Sequence, residues 1–286
     1  MSELRWHPFL GQWVSVATHR QNRPQLPRNW CPFCPGSGRV PDQYGVLIYP
    51  NDYPALDPPG GCDVLLYSSD HSLKPSDMTG EQWRAVVDLW AARCGELEAR
   101  PGVAYVGVFE NQGEAVGVTM PHPHGQIYAF PFEPAFVAIE RARAAAAGRC
   151  IGCDVVAEEA SGGALVIARS DHFVAFAPSF GRFPTETHIA AREHREGLSE
   201  LSPEERADLA SLIRVMRRKY DRLYGFPMPL MMVVQQATHL RIEFLPLQRS
   251  ADKLKYLASC ESGYGTYLND TRSDETAERM RKIDAE

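Results

Sequence analysis

Seven residues, Met120-Pro121-His122-Pro123-His124-Gly125-Gln126, concentrate the chemistry of this chain. His122, His124 and Gln126 alternate, so in an extended strand their side chains share one face. One imidazole can bind a metal or orient its neighbour while the other acts as a nucleophile. An amide at the third position can donate hydrogen bonds to an anion but cannot transfer a proton. Four of the seven cysteines form two Cys-x-x-Cys pairs, Cys31/Cys34 and Cys150/Cys153. Thiolates and imidazoles are zinc ligands, four to a closed tetrahedron where the metal is structural. His71 and His122 complete such a set with the first pair, and His194 and His239 with the second; iron stays open for the same donors. The ligands come from distant segments, so an ion would tie strands together instead of nucleating a small knuckle. A redox role is the weaker reading, because Pro32 and Pro35 favour a turn where a thioredoxin-like motif opens a helix. Cys62, Cys94 and Cys260 fall outside both sets and suit packing.

The elements that must position these groups repeat along the chain. Asp52 follows Cys34 by eighteen residues, and Asp171 follows Cys153 by eighteen. A short apolar strand precedes each, at 45–49 and 164–168. A second strand then leads to a histidine: Val64–Tyr67 to His71, and His188–Ala191 to His194. Eight residues on, each copy opens a helix with a capping box, Thr79-x-x-Gln82 and Ser202-x-x-Glu205. Both helices are amphipathic, with Trp83, Val86 and Trp90 in one and Leu209, Ile213 and Met216 in the other. Two strands close each copy, 104–110 and 124–130 in the first, 230–235 and 240–245 in the second. The closing strand of the second copy reads His239-x-Arg241-x-Glu243 where the first reads His122-x-His124-x-Gln126. This order predicts an α+β fold of two tandem units, each a mostly antiparallel sheet with a covering helix. The halves are 1–138, catalytic, and 149–286, degenerate. A connecting helix is expected near 140–148 and a short C-terminal one over 271–283.

Composition narrows the function. A net charge of −6 and a pI near 5.9 argue against a nucleic-acid or membrane-surface binder. No apolar run approaches a bilayer span, and the N-terminus lacks the apolar core of a signal peptide. The chain is expected to be cytoplasmic, its cysteines reduced or metal-bound.

A metal on His122 would fix the strand end and hold His124 at a set height above it, which is pre-organisation and not Lewis-acid chemistry. A neutral imidazole is a good nucleophile toward phosphorus when its other nitrogen finds an acceptor. No carboxylate partner is evident, so a backbone carbonyl of the Pro-His segment is the expected acceptor.

The motif His-Pro-His-Gly-Gln resembles the active-site signature of the galactose-1-phosphate uridylyltransferase family, the transferase branch of the histidine-triad superfamily. Segments 10–24, 49–55, 109–113 and 260–270 resemble the same family. The resemblance implies zinc, a homodimer, and transfer of UMP from UDP-glucose to galactose 1-phosphate through a uridylyl-histidine on His124. A third histidine at position 126 would suit the hydrolase branch; Gln126 suits a leaving group that is already a phosphate. By matching position, Asn51 and Asp52 would contact uridine and ribose. Asn111, Thr119 and Gln126 would hold phosphates, with Arg20 and Arg23 adding charge from the same chain or the other subunit. Lys255, Tyr256 and Glu261 match the stretch that touches the hexose. Two departures stand out. Val118-Thr119 replaces the usual Cys-Ser pair. Arg241 and Glu243 replace histidines of the family's second metal site, for which the Cys150/Cys153 cluster would substitute. The rival readings are an ADP-glucose or dinucleotide phosphorylase on the same scaffold, and a non-catalytic zinc-stabilised nucleotide-binding protein.

Overall fold

The computed structural model describes residues 2–24 and 30–285. In chain order the elements are β1 (Glu3–His7), β2 (Gln12–Val16), β3 (Leu47–Pro50), β4 (Gly61–Leu66), α1 (Gly80–Glu98), β5 (Tyr105–Gln112), β6 (His124–Phe130), α2 (Ala135–Ala147), α3 (Ile151–Ser161), β7 (Val166–Arg169), β8 (Phe173–Phe176), β9 (Thr187–Ala191), α4 (Pro203–Tyr224), β10 (Leu230–Gln235), β11 (Arg241–Pro246), β12 (Gln248–Ser250), β13 (Lys253–Leu254), α5 (Ser259–Tyr264) and α6 (Ser273–Arg281).

Nine strands form one antiparallel sheet in the order β3-β4-β6-β5-β10-β11-β9-β8-β7. The first half contributes the four strands on one side of the β5–β10 junction and the second half the five on the other. Outward from that junction the halves match strand for strand: β5 with β10, β6 with β11, β4 with β9, β3 with β8. The expected α+β architecture is therefore present, with the two units fused edge to edge rather than packed as separate bodies.

Both predicted capping boxes form. Thr79 Oγ1 accepts from the Gln82 amide and Gln82 Oε1 from the Thr79 amide; Ser202 and Glu205 repeat the arrangement at α4. The two helices cover the same face of the sheet and pack on each other. Trp83, Val86, Trp90, Ile213, Met216 and Tyr220 are buried there against Val108, Ile127, Ile189, Met232, Val234, Ile242 and Phe244. Each such side chain contributes about 1.5–3 kcal/mol through burial. Strand alternation sends the neighbouring residues, His124 and Gln126 among them, to the opposite face.

The structure corrects two details of the repeat. The spatial counterpart of β3 is β8, not the strand before Asp171, so Asp171 sits in the β7–β8 turn and does not correspond to Asp52. The second cysteine pair does open a helix: Cys150 caps α3, its sulfur accepting the Cys153 amide at 3.4 Å. The connecting helix spans α2 and the C-terminal one α6.

Candidate active site and metal centres

The first metal cluster forms where the loop carrying Cys31 and Cys34 meets the ends of β4 and β6. Cys34 Sγ lies 3.3 Å from His71 Nδ1, and both sulfurs lie 3.8 Å from His122 Nδ1. The second repeats it: Cys153 Sγ is 3.6 Å from His194 Nδ1, and Cys150 and Cys153 are 3.6 and 3.5 Å from His239 Nδ1. All ligand atoms of each set lie within 4.8 Å of one another. Bonds of about 2.3 Å to sulfur and 2.0–2.1 Å to nitrogen put S and N roughly 3.6 Å apart in a tetrahedron, so both groups can hold a metal and are compatible with zinc.

The histidine tautomers agree with that assignment. His122 Nε2 donates to the Ser68 carbonyl at 2.7 Å, and His239 Nε2 to the Ala191 carbonyl at 2.8 Å, leaving each Nδ1 lone pair facing the thiols. Burial pushes the His122 imidazole down to about 4, keeping it in the neutral form a ligand requires. Burial and the neighbouring Cys34 thiol push Cys31 up to about 11; a bound cation reverses that by stabilising the thiolate. Gly152 lets α3 approach, since a Cβ there would stand 2.3 Å from that of His239.

One strand turn beyond His122, His124 points into a cavity of about 260 Å³. Its Nδ1 lies 2.7 Å from the His122 carbonyl, the backbone acceptor expected from sequence. With that nitrogen donating, Nε2 keeps its lone pair. Burial and the nearby Arg23 charge hold the imidazole below its usual range, hence neutral near pH 7. The Phe33 ring packs 5.7 Å from the His124 ring.

The cavity brings together six of the residues singled out from sequence: Arg23, Asn51, Asp52, Thr119, His124 and Gln126. Thr119 Oγ1 is buried with no partner among the described residues. Arg23 has no carboxylate partner among the described residues, so a half-buried cation and an unpaired hydroxyl both await an anion. Asp52 is held by Arg39 at 2.6 Å and by the Tyr49 hydroxyl at 3.1 Å. The Asn51 side chain folds back onto the Tyr53 amide.

Five others stand outside the lining. Arg20 anchors on the Tyr53 carbonyl. Continuing the β5–β6 register past Phe109–Gln126 sets Asn111 beside His124 on the neighbouring strand. Lys255 and Glu261 pair with each other at 2.7 Å, Tyr256 is 76 % exposed, and none of the three lines the cavity. Sequence reasoning missed Phe33, Arg39 and Tyr49. Tyr49 could have been found, two residues before Asn51 on the same strand phase; Arg39 sits in an irregular loop with no such signal.

The second half offers no nucleophile at the matching place. Arg241 makes a two-pronged pair with Glu140 at 2.9 and 2.8 Å and a third contact with Glu243 at 3.0 Å. Glu243 also takes Arg182 at 2.7 Å.

A sheet face carrying a neutral, backbone-oriented imidazole beside a cysteine–histidine group able to hold a metal, with hydrogen-bond donors left unpaired among the described residues, defines a histidine-based nucleotidyl-transfer site. Two family models match the chain: galactose-1-phosphate uridyl transferase, N-terminal domain, over residues 42–134, and its C-terminal domain over 139–243. The galactose-1-phosphate uridylyltransferase of Thermotoga maritima is 34 % identical over the full length of both chains, and that of Streptomyces lividans 31 % identical over 99 % of this chain and 87 % of its own. A solved uridylyltransferase superposes with a TM-score of 0.89 at 31 % identity, over 98 % of each chain. An ADP-glucose phosphorylase from Arabidopsis thaliana shares the fold, with a TM-score of 0.78 at 24 % identity over 99 % of this chain and all of its own. This chain belongs to the galactose-1-phosphate uridylyltransferase family.

Proposed function

We propose that the protein moves UMP from UDP-glucose to galactose 1-phosphate by double displacement at His124. Nε2 attacks the α-phosphorus, and the bond to the bridging oxygen breaks with its electron pair leaving on glucose 1-phosphate. A phosphate oxygen of galactose 1-phosphate then attacks the uridylyl-histidine, the P–N bond breaks, and UDP-galactose departs. The observation that carries this reading is the 2.7 Å contact from His124 Nδ1 to the His122 carbonyl, which aims a neutral nucleophilic nitrogen into a cavity with unpaired phosphate donors. Arg23, Thr119, Gln126 and Asn111 stabilise charge at phosphorus. Asn51 and Asp52 bind the nucleoside. Gln126 cannot protonate a leaving group, and a sugar 1-phosphate needs no proton.

The metal in both clusters is zinc on this reading, supported by the sulfur–nitrogen distances. A closed four-ligand site supplies rigidity at the strand end rather than a reacting position. Residues 1–138 form the catalytic half and 149–286 the degenerate one. The enzyme acts as a homodimer: Lys255, Tyr256 and Glu261 stand apart from the cavity and would reach a hexose from a second subunit. The β1–β2 hairpin exposes Trp6, Phe9, Leu10 and Trp13, an apolar surface suited to such a contact. Free thiols throughout the described residues suit the cytoplasm. Among those residues no helix is long and apolar enough to cross a membrane, and the acidic balance disfavours nucleic acid.

Intact mass after mixing with UDP-glucose alone tests the reading. A uridylyl adduct, absent in His124→Ala and discharged by galactose 1-phosphate, is expected. No adduct from UDP-glucose but an adenylyl adduct from ADP-glucose would replace it with the phosphorylase.

A further inference from the structure

Three cross-strand partners set the length of the cavity at His124. Gln126 on β6 pairs with Val64 on β4, and Val64 pairs with Tyr49 on β3. Directly opposed residues of an antiparallel pair share a face, and all three line the cavity. Two strand spacings, roughly 10 Å, separate Tyr49 from Gln126. With the phosphorus held at His124 and Gln126, the nucleoside lies across Val64 and its sugar arrives at the Tyr49 end.

Tyr49 is buried and braced at that end. The Phe33 ring meets it edge-on, centroids 5.3 Å apart, and the Arg39 guanidinium lies over it, 5.7 Å from its centre. Tyr49 and Arg39 hold the same carboxylate. The Tyr49 hydroxyl donates to Asp52, 3.1 Å from Oδ2 and 3.3 Å from Oδ1, and Arg39 Nη2 donates to Oδ1 at 2.6 Å. No other group among the described residues donates to Asp52. A phenol has one hydrogen, and its nearer acceptor is Oδ2, so each carboxylate oxygen takes one protein donor. An ionised carboxylate has about four acceptor positions, which leaves both oxygens able to accept again. An acceptor-only group cannot serve a phosphate, but it matches a vicinal diol, whose two O–H donors stand side by side. The Arg39–Asp52 pair is partly exposed, and such pairs add little to stability. What it does is fix the plane of the carboxylate.

We propose that Arg39 and Tyr49 are positioning residues that lock the Asp52 carboxylate where it accepts both hydroxyls of the ribose, and that this clamp selects a ribonucleotide over its 2′-deoxy analogue. The inference rests on the nucleotidyl-transfer reading above and deepens it. Arg39 and Tyr49 act through Asp52, and the clamp reads the sugar and not the base.

Calorimetric affinities for UMP and 2′-deoxy-UMP test it, with metal content and melting temperature measured for each variant. The wild type should prefer UMP by about tenfold or more, the worth of one hydrogen bond to a charged acceptor. Arg39→Met and Tyr49→Phe should each cut that preference below about threefold, by weakening UMP more than its 2′-deoxy analogue. Arg39→Lys keeps one charged donor and should retain most of the preference. In turnover Arg39→Met should raise KM for UDP-glucose with kcat within about twofold of wild type, since the ribose contact is equal in ground and transition states. Equal weakening of both ligands in Arg39→Met, an undiminished preference, or a wild type that binds the two alike would overturn the clamp; a wild-type uridylyl adduct would leave the transferase standing in each case. A wild type that forms no adduct yet shows a preference for UMP that Arg39→Met abolishes would remove the transferase reading and keep the clamp.

Discussion

Replacing Arg217 by methionine should destabilise the protein by up to about 3–4 kcal/mol at pH 7 and by about half that at pH 5.5. Arg217 on α4 belongs to the second half, and Glu110 on β5 to the first; Nη2 and Oε1 stand 2.6 Å apart with both side chains at most 3 % exposed. Arg217 also donates to Gln112, while Glu110 Oε2 has no close hydrogen-bond partner among the described residues and the buried Tyr67 hydroxyl stands beside the carboxylate. Burial pushes the Glu110 carboxyl up and the Arg217 charge is the chief opposing influence. With the guanidinium gone, the carboxyl has to stay protonated in the folded state. In the unfolded chain it titrates near 4.3, so holding the proton at pH 7 costs about 1.36 × 2.7, or roughly 3.7 kcal/mol; burial already raises the wild-type carboxyl, so this is the ceiling on the difference between variant and wild type. The sign follows. The folded pKa of the variant lies above the unfolded one, so its folded state holds the extra proton at pH 7 and stability returns as pH falls. At pH 5.5 the cost drops to about 1.6 kcal/mol. Urea unfolding of metal-loaded variant and wild type at both pH values measures the difference, and the wild-type reference cancels the clusters' own proton dependence. Glu110→Gln combined with Arg217→Met removes both charges and should recover most of the loss. A loss that does not change with pH, or a double variant as unstable as the single one, would refute the reasoning.

Two further outcomes follow from the geometry. Metal analysis should give two ions per chain, falling to one in Cys150→Ser with the His124 adduct still formed; one ion per wild-type chain would contradict the second cluster. Gly125→Ala places a Cβ 2.2 Å from the Tyr67 hydroxyl, which is wedged beside Trp83 and Trp90. It should cost about 1–3 kcal/mol and lower kcat by shifting β6. Tyr67→Phe added to it should restore much of both, and no rescue would show that the clash is not the cause.

Much of this architecture is legible in the sequence where the signal is periodic or local. The alternation from His122 to Gln126 predicts the strand and its face, and the two capping boxes set the helix starts to the residue. The eight-residue interval from His71 and His194 to those caps holds because a metal ligand, a short turn and a helix follow in both halves. The α3 helix is invisible to the same reasoning: its cap is the Cys150 sulfur, outside the usual set of oxygen-bearing caps. The β1–β2 hairpin is hidden because its aromatic residues face outward, so no inward stripe marks it. Asp171 shows the converse failure. Equal spacing counts residues and not strands, and the two halves reach their sheets by different turns.

The second half bears on what a metal would do. It keeps all four ligands of its cluster, the same Nδ1-facing histidine and the same backbone acceptor behind it. In place of His124 it carries Arg241, which has no lone pair and whose three nitrogens each donate to Glu140 or Glu243. Sequence spacing places Arg241 and Glu243 two and four residues past His239 into β11, as His124 and Gln126 follow His122 into β6. If the metal served the reacting phosphate, nothing would keep its donors in place on the side where no phosphate is attacked. A metal bound in each cluster would fasten a cysteine loop and a histidine turn to the end of a central strand, a role open to both halves of the shared nine-stranded sheet. Catalysis is then a property of what the first strand carries past its anchor: an imidazole oriented by a carbonyl and an amide two residues on.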